Sequence, residues 1–104
     1  MEESDWKLFQ KLRELALERL SRNILDEIRA VCAIDTKSCH HRYLDVFKLT
    51  REREKEMAAA FDDPRRSTGI RQLAFMVAGG WVTDEELLKF SEETRRIVEI
   101  MIRP

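Results

Sequence analysis

Apolar residues recur along the first 60 residues of the chain at the three- and four-residue spacing of amphipathic helices. The first 63 residues contain no proline and no glycine, and most are leucine, alanine, glutamate, arginine and lysine, which lose little freedom in a helix. The pattern predicts two long helices, from Asp5 to about Ala33 and from about Cys39 to Phe61. Asp, Thr and Ser side chains in the 34–38 segment can divert backbone hydrogen bonds and separate the two.

The first predicted helix, with Ser4 as its N-cap, is apolar on two sides of its N-terminal half. Its main stripe consists of Trp6, Phe9, Ala16, Leu20, Ile24, Ile28 and Val31. A second patch consists of Leu8, Leu12 and Leu15. The N-terminal half is therefore expected to contact two neighbours and the C-terminal half only one.

The second predicted helix has a single apolar stripe and a charged remainder. The stripe consists of Tyr43, Val46, Phe47, Thr50, Met57, Ala58 and Phe61. Each long helix would extend about 37 Å, whereas a compact domain of this size has a radius of gyration of about 13 Å. We therefore expect an apolar stripe that a single copy of the chain does not cover.

The Asp62-Asp63-Pro64 segment predicts a stop followed by a third helix, Pro64 to Ala78, with Asp63 as its N-cap. This helix is apolar nearly all round from Ile70 onward, which predicts central burial. Glycine inside it, at Gly69, indicates close approach of another helix. The Gly79-Gly80 pair is expected to end it.

The Thr83-Asp84-Glu85-Glu86 segment is a capping box that predicts the start of a fourth helix. Val82 and Leu87 are placed to form a hydrophobic staple around it. This helix should continue to about Ile102. The chain, residues 1–104, is thus expected to be one all-α domain, in which a long antiparallel hairpin carries the two shorter helices.

The charge of the chain is high but balanced, since 38% of the residues are charged and the formal net charge is −1. This balance argues against a dedicated polyanion-binding protein, which would need clustered basic residues. No segment has the roughly 18 consecutive apolar residues of a membrane span, and the N-terminus is acidic where a signal peptide would be basic. We therefore expect a cytoplasmic protein without membrane segments.

Two groups of residues suggest alternative functions. Cys32, Cys39, His40 and His41 offer metal-binding and redox-active side chains within ten residues, but they lack the Cys-x-x-Cys spacing of zinc sites, and adjacent histidines on a helix point about 100° apart. The arginines at the start of the third helix, Arg65, Arg66 and Arg71, could contact nucleic acid, but the helix has no polar face to present to bases.

No catalytic motif, glycine-rich phosphate loop or nucleophile with an orienting base is present, so we expect neither an enzyme nor a cofactor. One charged pair is expected inside the hairpin: Arg13 and Glu54 both fall on apolar stripes and would come within about a helical turn of each other. Such a pair would fix the register of the hairpin or of a dimer. The alternative is that both groups reach solvent.

The sequence therefore favours a non-catalytic helical protein-binding module, an adaptor, regulator or structural subunit that self-associates, with other proteins as its partners. The expected association surface comprises large apolar residues near the N-terminus and at the corner between the third and fourth helices: Trp6, Leu8, Leu12, Leu15 and Trp81.

Overall fold

The computed structural model describes all 104 residues and is all-α, as the sequence predicts. It contains five helices: α1 (Glu3–Cys32), α2 (Cys39–Phe61), α3 (Arg66–Ala78), α4 (Asp84–Leu87) and α5 (Glu92–Ile102). Helices α1 and α2 form the long antiparallel hairpin, and α3 and α5 pack together at its base. No helix combines the length and the apolar composition needed to cross a membrane.

The hairpin makes the molecule elongated. Its extents are 51 × 25 × 24 Å and its radius of gyration is 16.3 Å, larger than the roughly 13 Å of a compact domain of this length. The two helices meet at a short turn in which the Ser38 hydroxyl accepts a hydrogen bond from the His41 backbone N–H at 3.0 Å and caps α2.

The hydrophobic core lies at one end of the molecule. It is built from the first half of α1, the last turn of α2, α3, the segment before α4, and α5. Its buried apolar residues are Phe9, Leu12, Ala16, Leu20, Ala60, Phe61, Leu73, Ala74, Met76, Trp81, Val82, Phe90 and Val98. No residue between Leu20 and Ala60 is buried, so the distal part of the hairpin projects from this body without a core of its own.

The start of α1 differs from the sequence prediction. The helix begins at Glu3 with Glu2 at the N-cap position and no side-chain cap, so Ser4 lies inside its first turn. Asp5 is only 2% exposed, and its carboxylate forms hydrogen bonds with another part of the chain. It accepts hydrogen bonds from the Ser91 backbone N–H (2.9 Å), the Ser91 hydroxyl (2.6 Å) and the Thr94 hydroxyl (2.7 Å). This contact anchors α1 to α5.

The start of α3 also differs, since the helix begins two residues later than predicted, at Arg66, and Asp63 is not its cap. Asp63 instead has a left-handed backbone (φ 48°) and its carboxylate pairs with Arg65 at 2.8 Å. The close approach expected at Gly69 is confirmed: a Cβ there would lie 3.2 Å from Met1 Sδ and 3.7 Å from the Trp6 ring.

The burial of α3 is less complete than predicted. Leu73, Ala74 and Met76 are in the core, but Phe75 is 45% exposed. The helix packs against α1, α2 and α5, and these neighbours leave the side carrying Phe75 uncovered. Some of the apolar residues of α3 therefore lie on the surface of the molecule and others in its core.

The end of α3 is confirmed. Gly80 adopts the left-handed conformation (φ 82°), the Trp81 N–H donates to the Met76 carbonyl, and the Gly80 N–H donates to the Val77 carbonyl. This pair of bonds is a Schellman motif. It returns Trp81 onto the core, where its ring lies 6.0 Å from that of Phe61.

The predicted fourth helix is divided into two. The capping box at Thr83 and Glu86 is present, with both reciprocal hydrogen bonds formed, and Val82 and Leu87 belong to the core or pack against it. However, α4 ends at Leu87. The chain turns through a buried Phe90, and a new cap forms where the Ser91 hydroxyl accepts from the Thr94 N–H.

Candidate functional site

The distal part of the hairpin, residues 21–59, is the most exposed apolar element of the molecule, and we call it the arm. Its large exposed apolar side chains include Leu25 (51% exposed), Tyr43 (64%) and Phe47 (53%). An amphipathic helix normally turns such residues toward a core. Each helix of the arm packs against only one other helix, so part of the apolar surface of the arm faces solvent.

The packing seam between α1 and α2 explains which residues are exposed. Most half-buried positions of the arm repeat at helical spacing and form the seam: Ile24, Ile28 and Val31 on α1, and Arg42, Val46, Leu49, Arg53 and Met57 on α2. Ser21, Glu27, Asp45 and Thr50, at the borders of the seam, are half-buried as well. The sequence stripe of α2 is therefore rotated relative to the seam. Tyr43 and Phe47, which that stripe placed in the interface, each follow a seam residue and lie at its edge.

These apolar residues gather on one face of the arm. Leu25 follows the seam residue Ile24, and Phe47 follows the seam residue Val46, so each is rotated about 100° from the seam in the same sense. In antiparallel helices, that rotation leads to the same face of the hairpin. Leu25, Tyr43 and Phe47 thus lie on one face of the hairpin, which we call the apolar arm face.

The opposite face of the arm is polar. The residues that precede seam positions are polar except for Ala30: Asn23, Glu27, His41, Asp45, Lys48, Glu52 and Glu56. Arg53 spans the two helices on this side: its guanidinium donates to both carboxylate oxygens of Glu27, at 2.9 to 3.3 Å, and also pairs with Glu56 at 3.3 Å. The hydrogen bonds from Arg53 lower the pKa of Glu27. Only one face of the arm is therefore apolar.

Charged groups also lie on this face of the arm, because Arg29 follows the seam residue Ile28 and Glu54 follows the seam residue Arg53. The Arg51 guanidinium lies over the Phe47 ring, 5.7 Å from its centroid. Glu54 is exposed one turn further along α2. Arg51 and Glu54 therefore carry opposite charges beside the exposed apolar residues of α2, and neither forms a salt bridge within the chain.

The ion pair expected between Arg13 and Glu54 is absent. Arg13 instead donates to the Phe61 carbonyl at 2.5 Å and lies over the Phe61 ring at 5.9 Å from its centroid. Glu54 lies one position past the seam residue Arg53, so its carboxylate faces solvent. Arg53, paired with Glu27, is the charged group that joins the two helices.

The residues proposed from sequence as an association surface do not form one patch. Leu12 and Trp81 belong to the core, and Trp6 is half-buried with its ring stacked 5.5 Å from that of Phe9. Leu8 is half-buried and Leu15 is 44% exposed, and both line a groove of about 200 Å³ beside Phe90. The Gly79-Gly80 turn explains the difference, because it returns Trp81 to the interior.

The cysteine and histidine cluster lies at the tip of the arm. Cys32 and Cys39 are exposed and free. Arg42 bridges the two helix ends, donating to the Cys32 carbonyl at 2.7 Å and to Cys39 Sγ at 3.3 Å. His41 contacts the Ser38 hydroxyl through Nδ1 at 3.2 Å, and the His40 ring stacks near that of Tyr43. No group of three metal-binding side chains converges here or elsewhere.

The three arginines of α3 do not form one basic surface. Arg65 pairs with Asp63, and Arg66 pairs with Glu3 at the start of α1. Arg71 is exposed, forms no ion pair, and lies beside Phe75 at the edge of an apolar groove. Each of these three arginines therefore has different neighbours.

The structure also contains two adjoining grooves, where the body meets the base of the arm, that sequence patterning did not identify. One, of about 330 Å³, is lined by Arg71, Ala74, Phe75, Ala78, Met101 and Ile102. The other, of about 450 Å³, is lined by Lys55, Glu56, Ala59, Phe75, Ala78, Gly79 and Trp81. Phe75 and Ala78 border both. The sequence contained part of the evidence for these grooves. Because α3 is apolar nearly all round but packs against three helices, some of its apolar side chains must be exposed.

In comparisons with family models, curated proteins and solved structures, nothing matches this chain.

Proposed function

We propose that this chain is a non-catalytic, cytoplasmic helical protein-binding module that self-associates through the apolar arm face. The observation that carries the proposal is the exposure of Leu25, Tyr43 and Phe47 on one face of a hairpin with no core beneath it. Two such hairpins stacked face to face make a four-helix bundle, which covers the apolar sides of all four helices.

A second copy fits this face because the face can complement itself. In a two-fold dimer the same surface is used by both copies, so every contact between two different residues occurs twice, once in each direction. Arg51 and Glu54 supply opposite charges beside the exposed apolar residues of α2, so an antiparallel pairing of two arms can place each arginine near the glutamate of the other copy. The polar face opposite, held by Arg53 and Glu27, stays in solvent.

The size of the face predicts how tight the dimer is. Two helices side by side are about 20 Å wide, and twelve residues of each are about 18 Å long, so the face covers about 400 Å² per copy. The total of about 800 Å² is below the roughly 1,200 Å² of stable complexes. We therefore expect a reversible dimer with a dissociation constant in the micromolar range.

Sedimentation velocity over about 1 to 100 μM protein tests this proposal. The wild-type chain should convert from monomer to dimer across that range. The double variant Leu25→Glu, Phe47→Glu should stay monomeric, because it brings four like charges together, and it should keep its helical circular dichroism since both positions are exposed. A strictly monomeric wild-type chain at the highest concentration would refute the proposal.

The matched control is Leu88→Glu. Leu88 is 64% exposed on the body and lies outside the arm, so the same change of character there should leave the dimer unaffected. If Leu88→Glu dissociates the dimer and the arm variant does not, the association surface lies on the body instead.

A further inference from the structure

The two grooves that meet at Phe75 form one trough where the body meets the base of the arm, bordered by α2, α3 and α5. Its surface includes the small residues Ala59, Ala74, Ala78 and Gly79, over which a backbone can approach closely. Phe75 stands between the two grooves, 45% exposed. An exposed aromatic ridge with an apolar groove on each side matches a helix that presents two apolar side chains one turn apart.

The charges around the trough point to the chemistry of its occupant. Lys55 and Arg71 line it, and Arg103 directly follows Ile102. All three are exposed, and none forms an ion pair within the chain. The one acidic lining residue, Glu56, is already paired with Arg53. The border of the trough therefore carries unpaired positive charge.

We propose that this trough binds an acidic amphipathic helix of a partner protein. Two apolar side chains at i and i+4 of that helix occupy the grooves on either side of Phe75, and its flanking carboxylates pair with Lys55 and Arg71. Complementary charge of this kind selects partners and speeds association. The trough lies where the body meets the base of the arm and includes no residue of the apolar arm face, so its binding does not depend on self-association through that face.

A designed peptide tests the proposal. The probe is a fluorescein-labelled helical peptide of about 16 residues with leucine at i and i+4 and glutamate at the flanking positions. The control peptide has lysine in place of every glutamate. Fluorescence anisotropy with the full chain should give an affinity about tenfold higher for the glutamate peptide. Equal affinity for the two peptides, or no saturable binding of either, would overturn the proposal.

Variants locate the binding. Phe75→Ala should weaken the glutamate peptide about tenfold, and the double charge reversal Lys55→Glu, Arg71→Glu should reverse the preference in favour of the lysine peptide. Phe47→Ala on the arm is the matched control and should leave peptide affinity unchanged. The proposal would be wrong if Phe47→Ala, and not Phe75→Ala, reduced binding, or if Phe75→Ala dissociated the dimer, since the trough would then be a contact between copies.

Discussion

At the scale of single residues, two buried or half-buried carboxylates connect α1 to the C-terminal part of the chain. Asp5 joins α1 to the cap of α5 through three hydrogen bonds. Burial alone would raise the pKa of Asp5, but the hydrogen bonds from Ser91 and Thr94 outweigh it and the pKa is lowered. Glu86 closes the capping box and also receives two hydrogen bonds from Arg19, at 2.6 and 3.0 Å.

Replacing Asp5 should be costly. Asp5→Ala leaves the Ser91 N–H and two hydroxyls without their partner, and we expect a loss of about 2 to 4 kcal/mol in the free energy of unfolding, measured by urea denaturation. Ser4→Ala is the control, because Ser4 is exposed and caps nothing, and should change stability by less than about 0.5 kcal/mol. A large loss for Ser4→Ala and none for Asp5→Ala would contradict the structure.

Stability should depend on pH through Glu86. The hydrogen bonds from Arg19 lower its pKa from 4.5 to about 2. Because the pKa is lower in the folded state, the stabilisation is complete above about pH 4.5 and is lost as the pH falls toward 2. Since the pair is partly exposed, we expect about 1 to 2 kcal/mol. Glu86→Gln, which keeps a capping side chain, should flatten that part of the pH profile. An unchanged profile would assign the acid sensitivity to other groups.

At the scale of elements, the sequence predicted the helices better than it predicted their faces. The bounds of α2 and the end of α3 follow from local chemistry, Ser38 as a cap and Gly80 in the left-handed region. The division between α4 and α5 depends on Asp5, 86 residues away from Ser91. No local pattern reports such a contact, so a capping box followed by an apolar stripe predicted one continuous helix.

The seam of the hairpin was mispredicted for a related reason. Helix α1 covers only part of the predicted stripe: Val46 and Met57 lie in the seam and Phe61 in the core, but Tyr43 and Phe47 are exposed. Arg53 takes a seam position instead and satisfies its charge with Glu27. A prediction from hydrophobicity alone places a charged residue in solvent. The predicted contact face of α2 was therefore rotated by about one residue from the face that packs against α1. The same error paired Arg13 with Glu54 and left the apolar arm face unrecognised.

A double-mutant cycle tests this seam. Arg53→Met and Glu27→Gln should show a coupling energy of about 0.5 to 1 kcal/mol in urea denaturation, as expected for a partly exposed pair. The matching cycle on Arg13→Met and Glu54→Gln should show coupling near zero. Coupling in the second cycle and not in the first would support the ion pair predicted from sequence.

At the scale of the whole molecule, stability is distributed unevenly. The body contains every buried residue, while residues 21–59 of the arm contain none. Elements with few buried apolar contacts open locally at a lower free energy than the core does. We therefore expect the arm of an isolated copy to open more readily than the body, and a second copy on the apolar arm face to suppress that opening.

Hydrogen exchange followed by mass spectrometry at low and high protein concentration tests this claim most directly. Amides of residues 21–32 and 39–50 should exchange faster than those of α3 at about 1 μM and become protected at about 100 μM, while α3 is unchanged. The Leu25→Glu, Phe47→Glu variant should show no such concentration dependence. An arm that exchanges at the same rate at both concentrations in the wild-type chain would contradict self-association through this face.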